Sequence, residues 1–229
     1  LASLTASLFT PNRIGEYGVK AMYFPPKYRK RIMLLNLISN VAQMSVTTII
    51  GVIGFSIFYT KYETGITIHK LARVAVLIVL VLVFIFFGSR HKPFRIKGIL
   101  ISKIKDFIKS IAFKIHAKNV LYSFVRYAIF SFQFYWLLLI FGVDVYYLNA
   151  MVLISSFYLI SSIIPTIFIF DVVVKGSVGI FLFEIVGVNS LTILSITTLM
   201  WILNFVIPST FGSIYVLKYD SKKLFKPES

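Results

Sequence analysis

No cysteine occurs in these 229 residues. That excludes disulfides and thiolate metal ligands, and for a chain this apolar it says little about compartment. Histidine is nearly as scarce: His69, His91 and His116 stand too far apart in sequence to read as a metal cluster. Acidic residues are few as well, 8 against 24 Lys and Arg, which leaves a formal charge of +16. In a soluble protein that surplus would raise the question of nucleic acid, but no nucleic-acid motif accompanies it. A phosphate-binding glycine loop, a paired-histidine metal motif and a soluble segment large enough for ATP are all missing. Primary active transport by this chain alone is therefore not expected, and no cofactor is expected either.

What the chain has in excess is apolar surface. At 58% hydrophobic and 17% aromatic residues, with a mean hydropathy of +0.88, it carries far more than one globular core can hide. The expectation is an all-α polytopic membrane protein. Windows 32–58, 71–87 and 120–141 each approach or exceed the ~17–25 residues that a helix needs to cross the hydrocarbon. Runs 147–170 and 191–217 are also long enough. The runs are continuous and do not alternate over ~10-residue segments, which points to helices and away from a barrel.

Charge orients these spans. The longest hydrophilic stretch, Gly88 to Asn119, holds nine Lys and Arg against the single acid Asp106, and the positive-inside rule places it in the cytoplasm. Within 98–117, Leu100, Ile104, Phe107, Ile108, Ile111 and Ile115 share one helical face, opposite Ser102, Lys105, Asp106 and Lys109. Such a helix lies in the headgroup plane, as a connector or as a sensor of anionic lipid. From that anchor, 71–87 runs inward and 32–58 runs outward from Lys27, Arg29, Lys30 and Arg31. Span 120–141 goes out again, and the tail with Lys218, Lys222, Lys223 and Lys226 returns to the cytoplasm. The expected location is the plasma (inner) membrane. Because the chain opens on Leu1 within a hydrophobic stretch, further elements are expected upstream.

An imperfect repeat is the main clue to function. Ser7-Leu8-Phe9-Thr10-Pro11 precedes Glu16 and Lys20, and Ser161-Ser162-Ile163-Ile164-Pro165 precedes Asp171 and Lys175. In both copies the acid precedes the lysine by four, and a small residue follows it, Ala21 in one and Gly176 in the other. An odd number of spans separates the copies, so the repeat is inverted. Transporters commonly build a midplane site from such pairs, using discontinuous helices. Pro11 and Pro165 are suitable breaks, since proline removes an amide donor and disfavours helix in the preceding residue. Elements 1–26 and 147–188 are therefore predicted to be broken or re-entrant, entering from opposite faces; the alternative is that both prolines merely kink ordinary spans.

An ionised side chain within a bilayer costs roughly several kcal/mol unless paired or hydrated, so Glu16, Lys20, Asp171 and Lys175 need a reason. Spacing of four lets each acid meet its lysine on one face. The functional reading is one polar cavity in which Arg13, Lys20 and Lys175 hold a phosphate while Glu16 and Asp171 orient them. The alternative is that each pair neutralises itself in a bundle. Asn36, Asn40, Gln43, Thr47, Gly51 and Gly54 recur on one face of the 32–58 span, where the glycine end reads as close packing and the amide end as a possible hydrophilic path. Ser123, Arg126 and Gln133 share a face of the next span; Arg126 reads as snorkelling to the interface or as a headgroup contact. Thr197, Trp201, Asn204 and Pro208 mark a packing face of the last span.

The stretch Thr10-Pro11-Asn12-Arg13-Ile14-Gly15-Glu16 resembles the Pro-x-Arg-x-Gly-Glu motif of the lysylphosphatidylglycerol synthase transmembrane-region family, a flippase-like family of integral membrane proteins. Leu37 to Gln43 resembles the family's segment downstream of that motif, and the likeness extends through Ser123 to Gln133 and Pro165 to Gly176. The segment Pro165 to Asp171 departs from the family's more glycine-rich second motif. The resemblance implies movement of a phospholipid or lipid-linked molecule between leaflets, with Pro11, Arg13, Gly15 and Glu16 as signature residues. The expected partners are membrane lipids, anionic or lipid-linked, with a homo-oligomer or a membrane complex left open. Two competing readings remain: a membrane transferase acting on a lipid-linked donor, and a scaffold subunit whose polar stripes bind other helices.

Overall fold

The computed structural model describes residues 2–7, 14–62, 95–96, 99–164, 166 and 168–217. Pro11, Arg13, Pro165, the expected 71–87 span and the basic tail from Lys218 lie outside the described residues. Two compact units emerge, one formed by Leu1–Phe58 with Asn119–Ser229 and the other by Tyr59–Lys118.

In the first unit, α1 (Ala2–Ser7) and α2 (Ile14–Met22) precede α3 (Pro26–Lys61). The end of α2 is written in Pro25 and Pro26. Phe24 N–H bonds the Ala21 carbonyl at 3.1 Å, the residue before a proline leaves the helical region, and a proline at the first helical position then starts α3 without losing a needed donor. At roughly 1.5 Å per residue α3 is about 54 Å long, more than the ~30 Å of hydrocarbon. Its basic first turns, Lys27 to Arg31, are helical although they are not apolar. The helix therefore begins six residues before the hydrophobic window does.

The remaining helices that pack in this unit are α5 (Phe113–Ile140), α6 (Tyr147–Ile163), α7 (Phe168–Glu184), α8 (Ser190–Trp201), a π-helical segment Ile202–Val206 and α9 (Ile207–Leu217). Among the described residues three helices, Pro26–Lys61, Phe113–Ile140 and Ser190–Ile214, are long and apolar enough to cross a membrane. Large apolar side chains also cover their outer faces. On α3, Met44, Ile49 and Ile53 are exposed, while Asn36, Gly51 and Gly54 are among the buried positions. Apolar exposure on that scale suits lipid and not water. The chain is an integral membrane protein built of helices.

The connections from α5 to α6 and from α7 to α8 each carry a left-handed glycine. Gly142 (φ +72°) closes α5 and Gly187 (φ +80°) closes α7. Val143 N–H reaches back to the Leu138 carbonyl at 2.9 Å, and Val188 N–H to that of Phe183 at 3.0 Å. These are the six-to-one bonds that satisfy a helix's last carbonyls. Asn189 then caps α8, its side chain accepting from Leu191 N–H at 2.8 Å.

The core centres on α6, only 17 residues long. Leu153, Ile154 and Phe157 of α6 are buried with Phe134 and Leu138 of α5, Leu182 and Phe183 of α7, and Ile193 and Ile196 of α8. Phe134 stacks on Phe183 (5.5 Å between ring centroids) and meets Phe157 edge-on at 5.2 Å. Two glycine seams bring helices into close contact. A Cβ on Gly51 would fall 2.6 Å from Leu159 Cβ, and one on Gly54 would fall 2.9 Å from Ser155 Cβ, both on α6. Across α7 and α8, Cβ atoms on Gly176 and Gly179 would approach Leu194 Cδ1 to 2.9 Å and Ile193 Cγ2 to 2.8 Å. The glycine end of the α3 stripe is thus a packing seam.

The two predicted broken elements each contain two helices. Element 1–26 comprises α1 and α2. Element 147–188 comprises α6 and α7, and Ile164, which follows α6, is extended (φ −85°, ψ 112°).

The second unit contains a two-residue antiparallel ladder, β1 (Arg95–Ile96) with β2 (Ile99–Leu100), in the register Arg95↔Leu100 and Ile96↔Ile99. It leads directly into α4 (Ile101–Ser110). The amphipathic stretch expected as one helix over 98–117 is divided: α4 stops at Ser110, and Phe113 onward belongs to α5. Ser110 bonds the Phe107 carbonyl at 2.7 Å, a local side-chain bond that competes with helix continuation.

Candidate functional site

Both acid–lysine pairs form. Lys20 Nζ donates to Glu16 Oε1 at 2.7 Å, and Lys175 Nζ donates to Asp171 Oδ2 at 2.7 Å. Each acid lies in the first turn of its helix, α2 or α7, where a carboxylate also faces the positive end of the helix dipole. Asp171 gains a second donor, the Thr166 hydroxyl at 3.1 Å. The carboxylates are the more buried partners, with side-chain exposures of 18% for Glu16 and 21% for Asp171 against 42% for Lys20 and 33% for Lys175. In each pair, then, the lysine is the more exposed side chain.

The surroundings of the two pairs differ. Lys20 also donates to Asn36 Oδ1 at 2.8 Å, and Asn40 Nδ2 donates to the Tyr17 hydroxyl at 2.6 Å. These bonds fasten α2 to one face of α3. The second pair instead lines a cavity of about 240 Å³, together with Gln43 and Thr47 of α3, Arg126 of α5, and Asn204 of the π segment. The Arg126 guanidinium lies 5.6 Å from the Phe130 ring centroid, which is cation–π range. Phe130, Tyr158 and Trp201 supply aromatic wall.

The residues grouped by sequence into one phosphate cavity therefore divide. Asp171 and Lys175 line the cavity, where Gln43 and Arg126, read separately from the sequence, join them; among the described residues, Glu16 and Lys20 form a separate cluster, beside Asn36, Asn40 and Tyr17. Gly15 lies within α2, and Gly176 serves the α7–α8 seam.

The sequence pattern assigns Thr197, Trp201 and Asn204 to packing, yet all three line the cavity. Asn204 Nδ2 donates to Gln133 Oε1 at 3.0 Å and to the Met200 carbonyl at 2.9 Å. Its placement depends on the π segment, where Ile207 N–H bonds the Ile202 carbonyl five residues back. The spacing 197, 201, 204 is visible in the sequence as a polar stripe; the wide turn that aims its last member is not. Tyr127 and Tyr158, which also line the cavity, carry no sequence signal. Tyr158 donates to the Phe130 carbonyl at 3.0 Å.

Chemically, the cavity holds two cations and one carboxylate beside neutral amide and hydroxyl groups. Its formal surplus of one positive charge, in surroundings of low dielectric, favours a monoanion with several oxygen acceptors. Among the described residues no group of three or more His, Asp or Glu side chains could hold a metal ion. Glu184 accepts from the Ser190 hydroxyl across the α7–α8 turn, a local role at a helix start. No protein-family model, curated protein or solved structure matches this chain.

Proposed function

We propose that this chain is a flippase-like membrane protein that passes the headgroup of a phospholipid or lipid-linked molecule between leaflets. The observation that carries the reading is the 240 Å³ cavity, in which Arg126, Lys175 and Asp171 gather among helices long and apolar enough to span a membrane. Ionisable groups at such a place are expected to serve a polar substrate or ion, because such residues are rare within spans and mark substrate and ion pathways. Further support comes from the two acid–lysine pairs, which share spacing, bond length and position at a helix start. In this reading they belong to an inverted repeat of broken elements, with the C-terminus cytoplasmic and the protein in the plasma (inner) membrane. The resemblance of Pro11 to Glu16 to the lysylphosphatidylglycerol synthase transmembrane-region signature points the same way.

The test is translocation of headgroup-labelled lipid in proteoliposomes, comparing wild type with Asp171→Asn and Glu16→Gln at matched reconstitution. Asp171→Asn frees Lys175 from its partner and should reduce the rate at least tenfold while folded protein is still recovered. If wild type moves none of several lipid classes, the reading fails and the transferase or scaffold alternatives take its place.

A further inference from the structure

One buried polar atom at the Glu16–Lys20 cluster has no partner among the described residues. Asn36 is 8% exposed, and its Oδ1 accepts from Lys20 Nζ. An ammonium can only donate, so this contact fixes which end of the amide carries the oxygen. The other end, Nδ2, is buried and has no hydrogen-bond partner among the described residues. Buried amide donors are almost always satisfied, and an exception calls for an acceptor that binds there. Lys20 adds to the demand. Its ammonium has three protons, two of which go to Glu16 and Asn36, and the side chain is 42% exposed.

We propose that Lys20 and the Asn36 amide form a second binding station, separate from the cavity, for the anionic oxygen of a phosphodiester. Charge selects the diester. Glu16 already neutralises Lys20, so the station offers donors without a net positive surplus, and a dianionic phosphate monoester would be repelled by the Glu16 carboxylate. A phosphodiester spreads one charge over two oxygens and needs two donors, which Lys20 and Asn36 Nδ2 supply.

The station also has a physical connection to the cavity. Asn36, Asn40, Gln43 and Thr47 follow one another on a single face of α3, and the last two line the cavity. From Asn36 to Gln43 is about two helical turns, or roughly 10 Å. One helix therefore carries polar groups continuously from the first acid–lysine pair to the second. Assigning the phosphodiester to a lipid rests on the flippase reading; the station itself rests on Asn36 and Lys20.

Calorimetric titration of the full purified chain in a phosphate-free detergent tests both. The probes are dihexanoylphosphatidylglycerol, dihexanoylglycerol, which lacks the phosphate, and inorganic phosphate. Two sites for the diester and none for dihexanoylglycerol are expected. Asn36→Leu should weaken one of them by about ten- to a hundredfold, the loss of a charge-assisted bond, and leave the other unchanged. Lys20→Gln should weaken the same site, which keeps the test decisive if Asn36→Leu does not fold. Arg126→Gln should weaken only the other. A single site that responds to Arg126→Gln and ignores Asn36→Leu overturns the station and leaves the flippase reading standing. A site sensitive to Asn36 with none sensitive to Arg126 supports the station and removes the cavity from the proposed path. Inorganic phosphate that binds at the Asn36-dependent site while the diester does not would overturn the phosphodiester assignment.

Discussion

Adding a single methyl group at Gly51 or Gly54 tests whether α3 and α6 pack backbone to backbone. A Cβ at Gly51 would stand 2.6 Å from Leu159 Cβ, 3.1 Å from the Ser155 carbonyl oxygen and 3.4 Å from Leu159 Cα. None of these atoms can swing aside, because each is backbone or fixed directly to it. Carbon atoms prefer about 3.5–4.0 Å, so the helices must separate by about 1 Å or α6 must deform. At Gly54 the nearest atom is the Ser155 hydroxyl, and Ser155 Cβ follows at 2.9 Å. Rotating that hydroxyl away would break its bonds to the Met151 and Val152 carbonyls, at 2.7 and 3.0 Å. Overpacking of this kind typically destabilises by about 1–3 kcal/mol, partly offset by about 1 kcal/mol from the better helix propensity of alanine. The net expectation is about 0–2 kcal/mol of destabilisation for Gly51→Ala or Gly54→Ala. Gly18 is the internal control: it lies within α2 with nothing inside 4 Å of an added Cβ, so Gly18→Ala should stabilise by up to about 1 kcal/mol. Thermal unfolding in detergent, followed through the fluorescence of the two tryptophans, would read shifts of about 2–4 °C per kcal/mol. If Gly51→Ala and Gly54→Ala unfold no earlier than Gly18→Ala, the seam does not exist as described.

Three further substitutions probe separate parts of the structure. Phe134→Ala removes the ring shared by Phe157 and Phe183 and should destabilise by about 3–5 kcal/mol, read as loss of monodisperse protein in size-exclusion chromatography. Asn204→Leu leaves Gln133 Oε1 without its donor at the cavity wall; a cost of about 1–3 kcal/mol should accompany slower lipid translocation. Unchanged translocation at matched recovery would remove Asn204 from the site. Asn189→Ala deletes the α8 cap and should lower stability by about 1 kcal/mol without altering transport, so a transport defect greater than the loss of folded protein would contradict a purely structural role.

Local and compositional signals are the legible ones. Hydropathy locates the lipid-crossing parts of α3, α5 and the last span, and a spacing of four between acid and lysine is enough to place Glu16 on Lys20 and Asp171 on Lys175. Small residues at steps of three locate the Gly51–Gly54 seam. Boundaries are less visible, since hydropathy marks what faces lipid and the basic first turns of α3 do not. The division of the α3 stripe is beyond sequence altogether. Asn40 meets Tyr17 of α2 while Gln43, one turn on, lines the cavity with Asp171 and Lys175 of α7, and no periodicity within α3 encodes which neighbour arrives where. Tyr127 and Tyr158 are illegible for the same reason, being aromatic residues in aromatic-rich spans.

The π segment has a consequence for the span as a whole. Because an α-helix turns about 100° per residue, one residue accommodated in a widened turn rotates everything beyond it by about that amount. Before the turn the helix shows Thr197 and Trp201 to the cavity; after it, Ser209 presents its carbonyl to the Thr5 hydroxyl of α1 at 2.7 Å. A single continuous rod thereby answers to two neighbours in different directions. Deleting one residue among 202–206 would restore regular winding and force a choice between them, so this span behaves as a splice joining two short helices, each keyed to a different partner.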